Sequence, residues 1–232
     1  MDKNLLQKAK APMIALIKTK NIMKTNNLKT KTKRTAALLL MLALLVSAKA
    51  WAQSFGGGSG TQTDPYIILS IDHMNQLAEY TGSTQGLHFR LDADLDYKDE
   101  NGVNGWHGVN GLGLGFKTIA HFSGTFDGNG HYISNAWVSG SGRDHHGLFG
   151  TLDLYGTIKN LNLVNLEIIG LVNVGGIVGA IEGGYVINCK LYNCFIMSTN
   201  YVGGIAGYIN PQLIFSVKDC VVDEYSTIDS HI

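Results

Sequence analysis

Apolar and polar side chains alternate along short segments in the second half of the chain. The pattern is clearest over residues 158–168, IKNLNLVNLEI. A period of two over short apolar runs that Gly and Asn interrupt is typical of β-strands. No segment between residues 85 and 232 has a convincing helical period, so this whole region is predicted to be β-structure.

The strands belong to a repeat. The pattern G-[LI]-x-G occurs three times, with first glycines 29 and 28 residues apart. Its copies begin and end at Gly147 and Gly150, Gly176 and Gly179, and Gly204 and Gly207. A second element, an apolar strand with an Asn or Asp at or next to its end, has four copies: Tyr132–Asn135, Ile158–Leu161, Val186–Cys189 and Val217–Cys220.

Repeats of roughly 28 residues without helices predict a solenoid, in which each repeat forms one coil of a parallel β-helix. Neighbouring coils are about 4.8 Å apart, so equivalent side chains stack. One predicted stack points inward and contains Ala136, Leu161, Cys189 and Cys220. The other contains Asn135, Asn160, Asn188 and Asp219. Asn suits a corner because it tolerates positive φ and bonds to nearby backbone.

The stretch Asp127–Gly130, DGNG, predicts a type I′-style reversal, which needs positive φ. We interpret it as the corner where the chain enters its repeating coils.

A helix is predicted just before the solenoid. Residues 65–69 form a first strand, and the stripe of Ile71, Met74 and Leu77 indicates a helix over about 72–80 with Asp72 as N-cap. Such a helix would cover the open end of the first coil. The predicted β-helix domain is 64–232, with its Gly repeats at about 147–232, after a Gly-rich linker at 53–63.

The first 52 residues predict a signal peptide. A basic segment precedes the apolar run 36–46, and the small residues Ala50 and Ala52 place cleavage before Gln53. Met23 would give a more ordinary start. Eleven apolar residues are too few to span a bilayer of about 30 Å, so we expect no transmembrane segment after cleavage, although a signal anchor is the alternative. The predicted location is secreted or at the outer cell surface.

The charge of the chain after the leader narrows the classes of partner that we expect. The leader holds 11 of the 18 basic residues and one of the 18 acidic residues, which leaves 7 basic and 17 acidic residues after Gln53 and a net charge of −10. Nucleic acids are therefore unexpected partners, because phosphate binding needs clustered Lys and Arg. Nothing in the sequence indicates an oligomeric state.

The ordered motifs resemble the GLUG-motif repeats of bacterial exported and surface proteins of the Bacteroidetes type. The Gly repeats carry the resemblance together with upstream segments, and it spans about 57–222. These upstream segments are Gly57–Thr61, Asp64–Ile68, Leu77–Tyr80, Phe89–Asp94 and Phe122–His131. The resemblance implies a right-handed parallel β-helix, export, and often adhesion. It implies no catalytic residues.

Two groups are candidate metal ligands. Asp92, Asp94 and Asp96 alternate, which places their oxygens on one strand face where they could bind Ca²⁺. An EF-hand loop is excluded because Tyr97 and Val103 stand where it needs Gly and Glu. A solvated acidic face is the simpler interpretation. The adjacent His145 and His146 lack zinc-site spacing and predict an exposed polar loop. No other cofactor is expected.

The three cysteines lie in predicted strands. Cys189 and Cys220 should lie in neighbouring coils, close enough for a disulfide in an oxidising compartment. A stack of buried thiols that act as small apolar residues is the alternative, and the one we favour.

No catalytic set is evident. Acidic residues are sparse over 122–232 and do not recur at one register, although β-helices include polysaccharide lyases and hydrolases. Aromatic residues that could stack on sugars are Trp106, Trp137, Tyr155, Tyr192 and Tyr208. We therefore predict an exported, non-enzymatic protein for cell-surface adhesion that binds an extracellular glycan or protein. The alternative is a polysaccharide-degrading enzyme, which would need carboxylates to converge in one groove.

Overall fold

The structure is a computed structural model that describes residues 55–80, 82–98, 115–139 and 144–230. The predicted signal peptide and its cleavage position at Gln53 lie outside the described residues. Within them the chain forms a parallel β-solenoid with one short helix, which confirms the predicted fold class. No helix in the described ranges has the length and apolarity needed to cross a bilayer.

The chain winds through the same sequence of strands in each turn. The strand β1 (Tyr66–Ile68) and the helix α1 (Ile71–Glu79) come first. The first full turn after them contains β2 (His88–Leu91), β3 (Leu95–Asp96) and β4 (Ile119–Phe122). The second contains β5 (Thr125–Asp127), β6 (Tyr132–Ser134), β7 (Trp137–Ser139) and β8 (Phe149–Leu152). The third contains β9 (Thr157–Lys159), β10 (Asn162–Val164), β11 (Glu167–Gly175) and β12 (Val178–Ile181). The last strands are β13 (Gly184–Ile187), β14 (Lys190–Tyr192), β15 (Phe195–Gly203), β16 (Ala206–Ile209), β17 (Phe215–Lys218), β18 (Val221–Val222) and β19 (Thr227–Ser230).

Four parallel sheets form the walls. Sheet 1 has the order β1-β2-β5-β9-β13-β17, and sheet 2 has the order β3-β6-β10-β14-β18. Sheet 3 is β7-β11-β15-β19, and sheet 4 is β4-β8-β12-β16. Because each strand pairs with its equivalent one turn later, side chains at one register stack along the solenoid axis.

The core is aromatic at its N-terminal end and aliphatic further on. Phe122 contacts Phe89 and Phe149 with ring centroids 6.0 Å and 5.0 Å apart. Later turns bury Val186, Leu191 and other aliphatic side chains instead. Alternation along three-residue strands supplies these inward positions, as the polar pattern predicts.

Helix α1 lies at the N-terminal end of the solenoid. It buries Met74 and Leu77 and packs beside β4, the first strand of sheet 4, as predicted. The predicted N-cap is wrong. Ser70 is the cap, and its hydroxyl accepts a hydrogen bond from His73 N at 3.3 Å, whereas Asp72 lies in the first turn.

The Gly-rich segment is packed rather than a free linker from Phe55 onward. Phe55 is buried, and its ring centroid is 5.1 Å from that of Tyr66. Gly56 N donates to Ile67 O at 2.8 Å, and Ile67 N donates to Gly57 O at 3.0 Å. The linker prediction missed this because Gly content alone does not show backbone pairing with β1.

Two asparagine ladders form corners of the solenoid. The first ladder joins Asp127, Asn160 and Asn188 across sheets 1 and 2. The second ladder joins Asp96, Asn135, Asn165 and Asn193 across sheets 2 and 3. Each amide nitrogen donates to the side chain one turn earlier, over 2.7–3.2 Å. Every Asn of these ladders has positive φ, between 51° and 57°, which Asn accepts better than other side chains.

The predicted stacks are right for three turns and wrong for one. Asn160, Asn188 and Asp219 share a register, as do Leu161, Cys189 and Cys220, because β9, β13 and β17 pair in step. Asn135 and Ala136 belong to the second ladder's register instead. The error arises because the strand before Asn135 lies in sheet 2, although its sequence resembles the sheet 1 copies.

The DGNG turn is a corner within the solenoid. Asn129 and Gly130 have φ values of 53° and 80°, and His131 N donates to Gly128 O at 2.8 Å, as a type I′ turn requires. However, β5 and β6 lie in different sheets, so the turn does not form a hairpin. It is not the entry to the coils either, because β1 and β2 already pair with each other in sheet 1.

Candidate functional site

A groove of about 460 Å³ lies on the outer face of sheet 4. We call it the sheet-4 groove. Most of its lining residues carry polar groups, among them three carboxylates and two imidazoles: Thr118, Ala120, His121, Asp144, His145, Thr151, Asp153 and Glu182. A concave surface with several convergent polar groups is the default candidate for a binding site.

The repeat glycines position the segment that carries His145 at the edge of this groove. A Cβ on Gly179 would lie 2.5 Å from His146 N, 2.7 Å from His145 C and 2.8 Å from Gly150 O. The backbone of residues 145–146 therefore lies directly on the outer face of sheet 4, where only Gly leaves room for it. One turn later, the backbone of Asn173 and Val174 lies against Gly207 in the same way. The fourth residue of G-[LI]-x-G is thus Gly for steric reasons.

Two carboxylates of the groove stack in neighbouring turns. Leu152 pairs with Ile181, so the residues that follow them, Asp153 and Glu182, share a register. Their backbones are therefore about 4.8 Å apart. Each carboxylate has a polar neighbour: Asp153 Oδ2 is 3.4 Å from His121 Nδ1, and Glu182 Oε2 accepts from Asn210 Nδ2 at 2.6 Å.

This pair corrects the prediction that acidic residues do not recur at one register. The signal was present in the sequence, because Asp153 and Glu182 each follow the first Gly of their repeat, Gly147 and Gly176, by the same interval. Sequence reasoning aligned the Asn strands in detail but did not extend the Gly alignment to these positions.

The two adjacent histidines have different environments. His145 Nδ1 lies 2.9 Å from Thr151 Oγ1 at the groove. His146 is buried, and its ring packs against Gly170 on the far side of the same segment. The prediction of an exposed polar loop is therefore wrong for His146, because the close approach of this segment to sheet 4 turns alternate side chains inward and outward.

The chemistry of the groove is that of a hydrogen-bond acceptor. Asp144, Asp153 and Glu182 supply carboxylate oxygens, and no Lys or Arg lines the groove among the described residues. Thr151 and the imidazoles can donate or accept. Such a surface suits ligands rich in donors, such as hydroxyls or cationic groups, and disfavours anions.

The predicted calcium ligands do not converge. Arg90 forms two hydrogen bonds to Asp92, and these bonds hold the pKa of Asp92 below its ordinary value. The backbone N–H of Tyr132 and the His131 ring lower the pKa of Asp94. Asp96 caps the second ladder. No group of three or more His, Cys, Asp or Glu residues in the described ranges is placed to hold a metal ion.

Cys189 and Cys220 stack in neighbouring turns, as predicted, and Cys194 lies in the next corner. All three are free thiols in the structure. The hydrogen bond with Cys220, followed by burial, raises the pKa of the Cys189 thiol. Burial raises the pKa of Cys194 to about 11. Whether Cys189 and Cys220 join under oxidation stays a prediction, which thiol titration of the denatured, unreduced protein tests.

The aromatic candidates lie on different faces. Trp106 lies outside the described residues. Tyr155 is 73% exposed at a turn, and Trp137 and Tyr192 are half-buried on the outer surface. Tyr208 shares the register of His121 and Thr151, so it lies on the same face as the sheet-4 groove, at its C-terminal side.

Comparisons with known proteins show relatives of much greater length. The chain is 31% identical over 170 residues to Halomucin of Haloquadratum walsbyi, which covers 71% of this chain and 2% of that protein. It is 31% identical over 132 residues to a provisionally named Gly-rich membrane protein of Evansella cellulosilytica, which covers 56% of this chain and 14% of that protein. The chain thus spans a small part of these relatives. No protein-family model matches it.

Among solved structures, the chain is similar to a Bacteroides ovatus protein provisionally named as an immunoglobulin A1 protease. The identity is 19% and the TM-score is 0.41, with 77% of this chain and 82% of that chain covered.

Proposed function

We propose that the chain is an exported, non-enzymatic repeat protein that binds an extracellular glycan or protein at the cell surface through the sheet-4 groove. The observation that carries the proposal is the stacking of Asp153 and Glu182 in a groove that no described Lys or Arg lines. The repeat glycines hold this groove in place through backbone contacts, so the site is largely preformed.

The groove chemistry favours a neutral glycan or a basic protein segment as ligand. Paired carboxylates accept hydrogen bonds from sugar hydroxyls or from Lys and Arg side chains. An anionic glycan would place its charge against three carboxylates, which is unfavourable. The net charge of −10 after Gln53 acts in the same direction.

Three further observations support export and a surface role. The first 52 residues have the organisation of a signal peptide. The Gly and Asn repeats resemble GLUG-motif repeats of exported proteins, and we propose membership of that group. One relative is named as a membrane protein.

A polysaccharide-degrading enzyme is the second candidate, because Asp153 and Glu182 meet in one groove. A hydrolase of this kind needs one carboxyl group as proton donor and another as nucleophile or base. Here both carboxylates have neighbours that favour an acceptor role, His121 for Asp153 and Asn210 for Glu182. A lyase would also need a cation beside the uronate, and no described Lys or Arg lines the groove. Binding is therefore the better proposal.

An array of glycans and of basic and acidic peptides tests the proposal. The wild-type protein is expected to retain neutral glycans or basic peptides, and Asp153→Asn and Glu182→Gln are each expected to weaken that retention. Glu224→Gln, which removes an equal charge from an exposed position outside the groove, should bind like the wild type. Retention of anionic glycans alone, or equal binding by all four proteins, would contradict the proposal.

A further inference from the structure

Both ladder corners use Asn residues with positive φ, but they carry different outer rows. Just beyond the first ladder, the outward row is Tyr132, Asn162 and Lys190. Two residues beyond the second ladder, it is Trp137, Glu167 and Phe195. Only the second row places a carboxylate between two aromatic side chains at successive turns.

A groove of about 310 Å³ lies along this second corner. We call it the corner groove. It is lined by the amides of Asn135, Asn165 and Asn193 on one side and by Glu167 and Phe195 on the other. The outward faces of Asn165, Asn193 and Phe195 are exposed. The corner groove is separated from the sheet-4 groove by the width of sheet 3, and the two share no lining residue.

The groups in the corner groove match the chemistry of a sugar ring. A pyranose has one apolar face, which stacks on an aromatic ring, and an edge of hydroxyls that both donate and accept. Phe195 offers the ring. Glu167 offers acceptor oxygens, and each ladder amide has a second N–H and further acceptor capacity beyond its ladder bond. The ladder also fixes these amides before any ligand arrives, which lowers the entropic cost of binding.

The amides decide between two ligand classes. A carboxylate beside aromatic rings could also bind a quaternary ammonium group. A cation cannot accept a hydrogen bond from Asn165 or Asn193, so their N–H groups would be desolvated without compensation. A neutral saccharide uses donors and acceptors together, and Glu167 disfavours a uronic acid.

We infer that the corner groove is a saccharide-binding site, in which a neutral pyranose stacks on Phe195 and bonds to Glu167 and the amides of the second ladder. Trp137 lies one turn before Glu167, so a neighbouring residue of the same oligosaccharide can extend toward it. The spacing of Trp137 and Phe195, two turns or about 9.6 Å, requires an oligosaccharide rather than a single sugar to reach both.

Calorimetric titration with cellohexaose, laminarihexaose and mannohexaose tests this inference. Hexagalacturonate and choline serve as anionic and cationic probes. All titrations use the Asp153→Asn background, so that the sheet-4 groove contributes least and failure of either site is seen separately. At least one neutral hexasaccharide is expected to bind, and Phe195→Ala is expected to weaken it roughly tenfold, which is about 1.4 kcal/mol.

A matched control is available at the first corner. Tyr132 is exposed at 44%, comparable with 36% for Phe195, and it occupies the equivalent outward position. Tyr132→Ala should leave binding unchanged. Ligand should also change tryptophan fluorescence, and Trp137→Phe should abolish that change.

Several results would overturn the inference. These are the absence of binding by every neutral probe at millimolar concentration, equal losses from Tyr132→Ala and Phe195→Ala, or binding of choline or hexagalacturonate in preference to the neutral sugars. If Glu167→Gln abolishes saccharide binding while its thermal stability stays unchanged, the inference is supported further, because a merely structural role of Glu167 would lower thermal stability.

Discussion

The glycine-lined face of sheet 4 and the asparagine corners show two ways in which a repeat can constrain a chain. At Gly179 the requirement is space, since backbone from the preceding turn occupies the position where a Cβ would lie. At Asn165 the requirement is conformation, since φ is 54° and the amide joins a ladder. Both appear in the sequence as a recurring residue, but the physical causes differ. The difference predicts different responses to substitution.

Gly179→Val should have the largest effect. Its side chain would overlap backbone atoms of residues 145, 146 and 150, which cannot move as a flexible side chain would. We expect a loss of about 3 kcal/mol or more of unfolding free energy, measured by urea denaturation. Gly130→Ala is the control, because Gly130 has open space around its Cα and only a φ of 80° to maintain. Its cost should be about 1–2 kcal/mol. Equal costs would contradict the steric account.

Substitution of Asn165 separates conformation from hydrogen bonding. Asn165→Ala loses two ladder bonds and the tolerance of positive φ, and we expect a loss of about 2 kcal/mol. Asn165→Gly loses the same bonds but keeps the backbone conformation, so it should cost about half as much. Urea denaturation of both variants is the measurement. If Ala and Gly cost the same, the ladder bonds alone explain the recurrence of Asn.

Asp127, at the start of the first ladder, should make the free energy of unfolding depend on pH in the acid range. This effect should be smaller than those of the substitutions at Gly179 and Asn165. Burial acts to raise the pKa of Asp127, but hydrogen bonds from Asn160, Asn129 and Lys159 hold it below its ordinary value. A group with a lowered folded pKa contributes stability above its unfolded pKa, about 3.9, and loses it as pH falls through the folded pKa. The urea midpoint should therefore fall below about pH 4, and Asp127→Asn should flatten that decrease. A pH profile that Asp127→Asn leaves unchanged would contradict the assignment.

The repeats themselves could be predicted from sequence because they are local and periodic. The solenoid, the covering helix and the stack of Cys189 and Cys220 all follow from the repeat and the strand period. The misplacement of Asn135 shows the limit, because sheets 1 and 2 carry similar strands and only pairing distinguishes them. The burial of His146 depends on contact between segments that the sequence does not place together.

The candidate sites were harder to predict, for the same reason. Asp153 and Glu182 occupy equivalent positions in two repeats, so extension of the Gly alignment could have paired them. Their groove, however, depends on the backbone of residues 145–146 lying on Gly179. The alignment of Trp137, Glu167 and Phe195 in one outward row depends on the register of sheet 3. That register follows from the second ladder, which the sequence prediction did not identify.

The central claim, that this glycine-built groove binds rather than cleaves, is tested most directly by incubating the purified protein with a glycan that it retains and counting new reducing ends over time. The account predicts saturable binding that Asp153→Asn weakens, with no increase in reducing ends above a protein-free control. A steady increase that is proportional to protein concentration, and that both Asp153→Asn and Glu182→Gln abolish, would show that the groove is an active site.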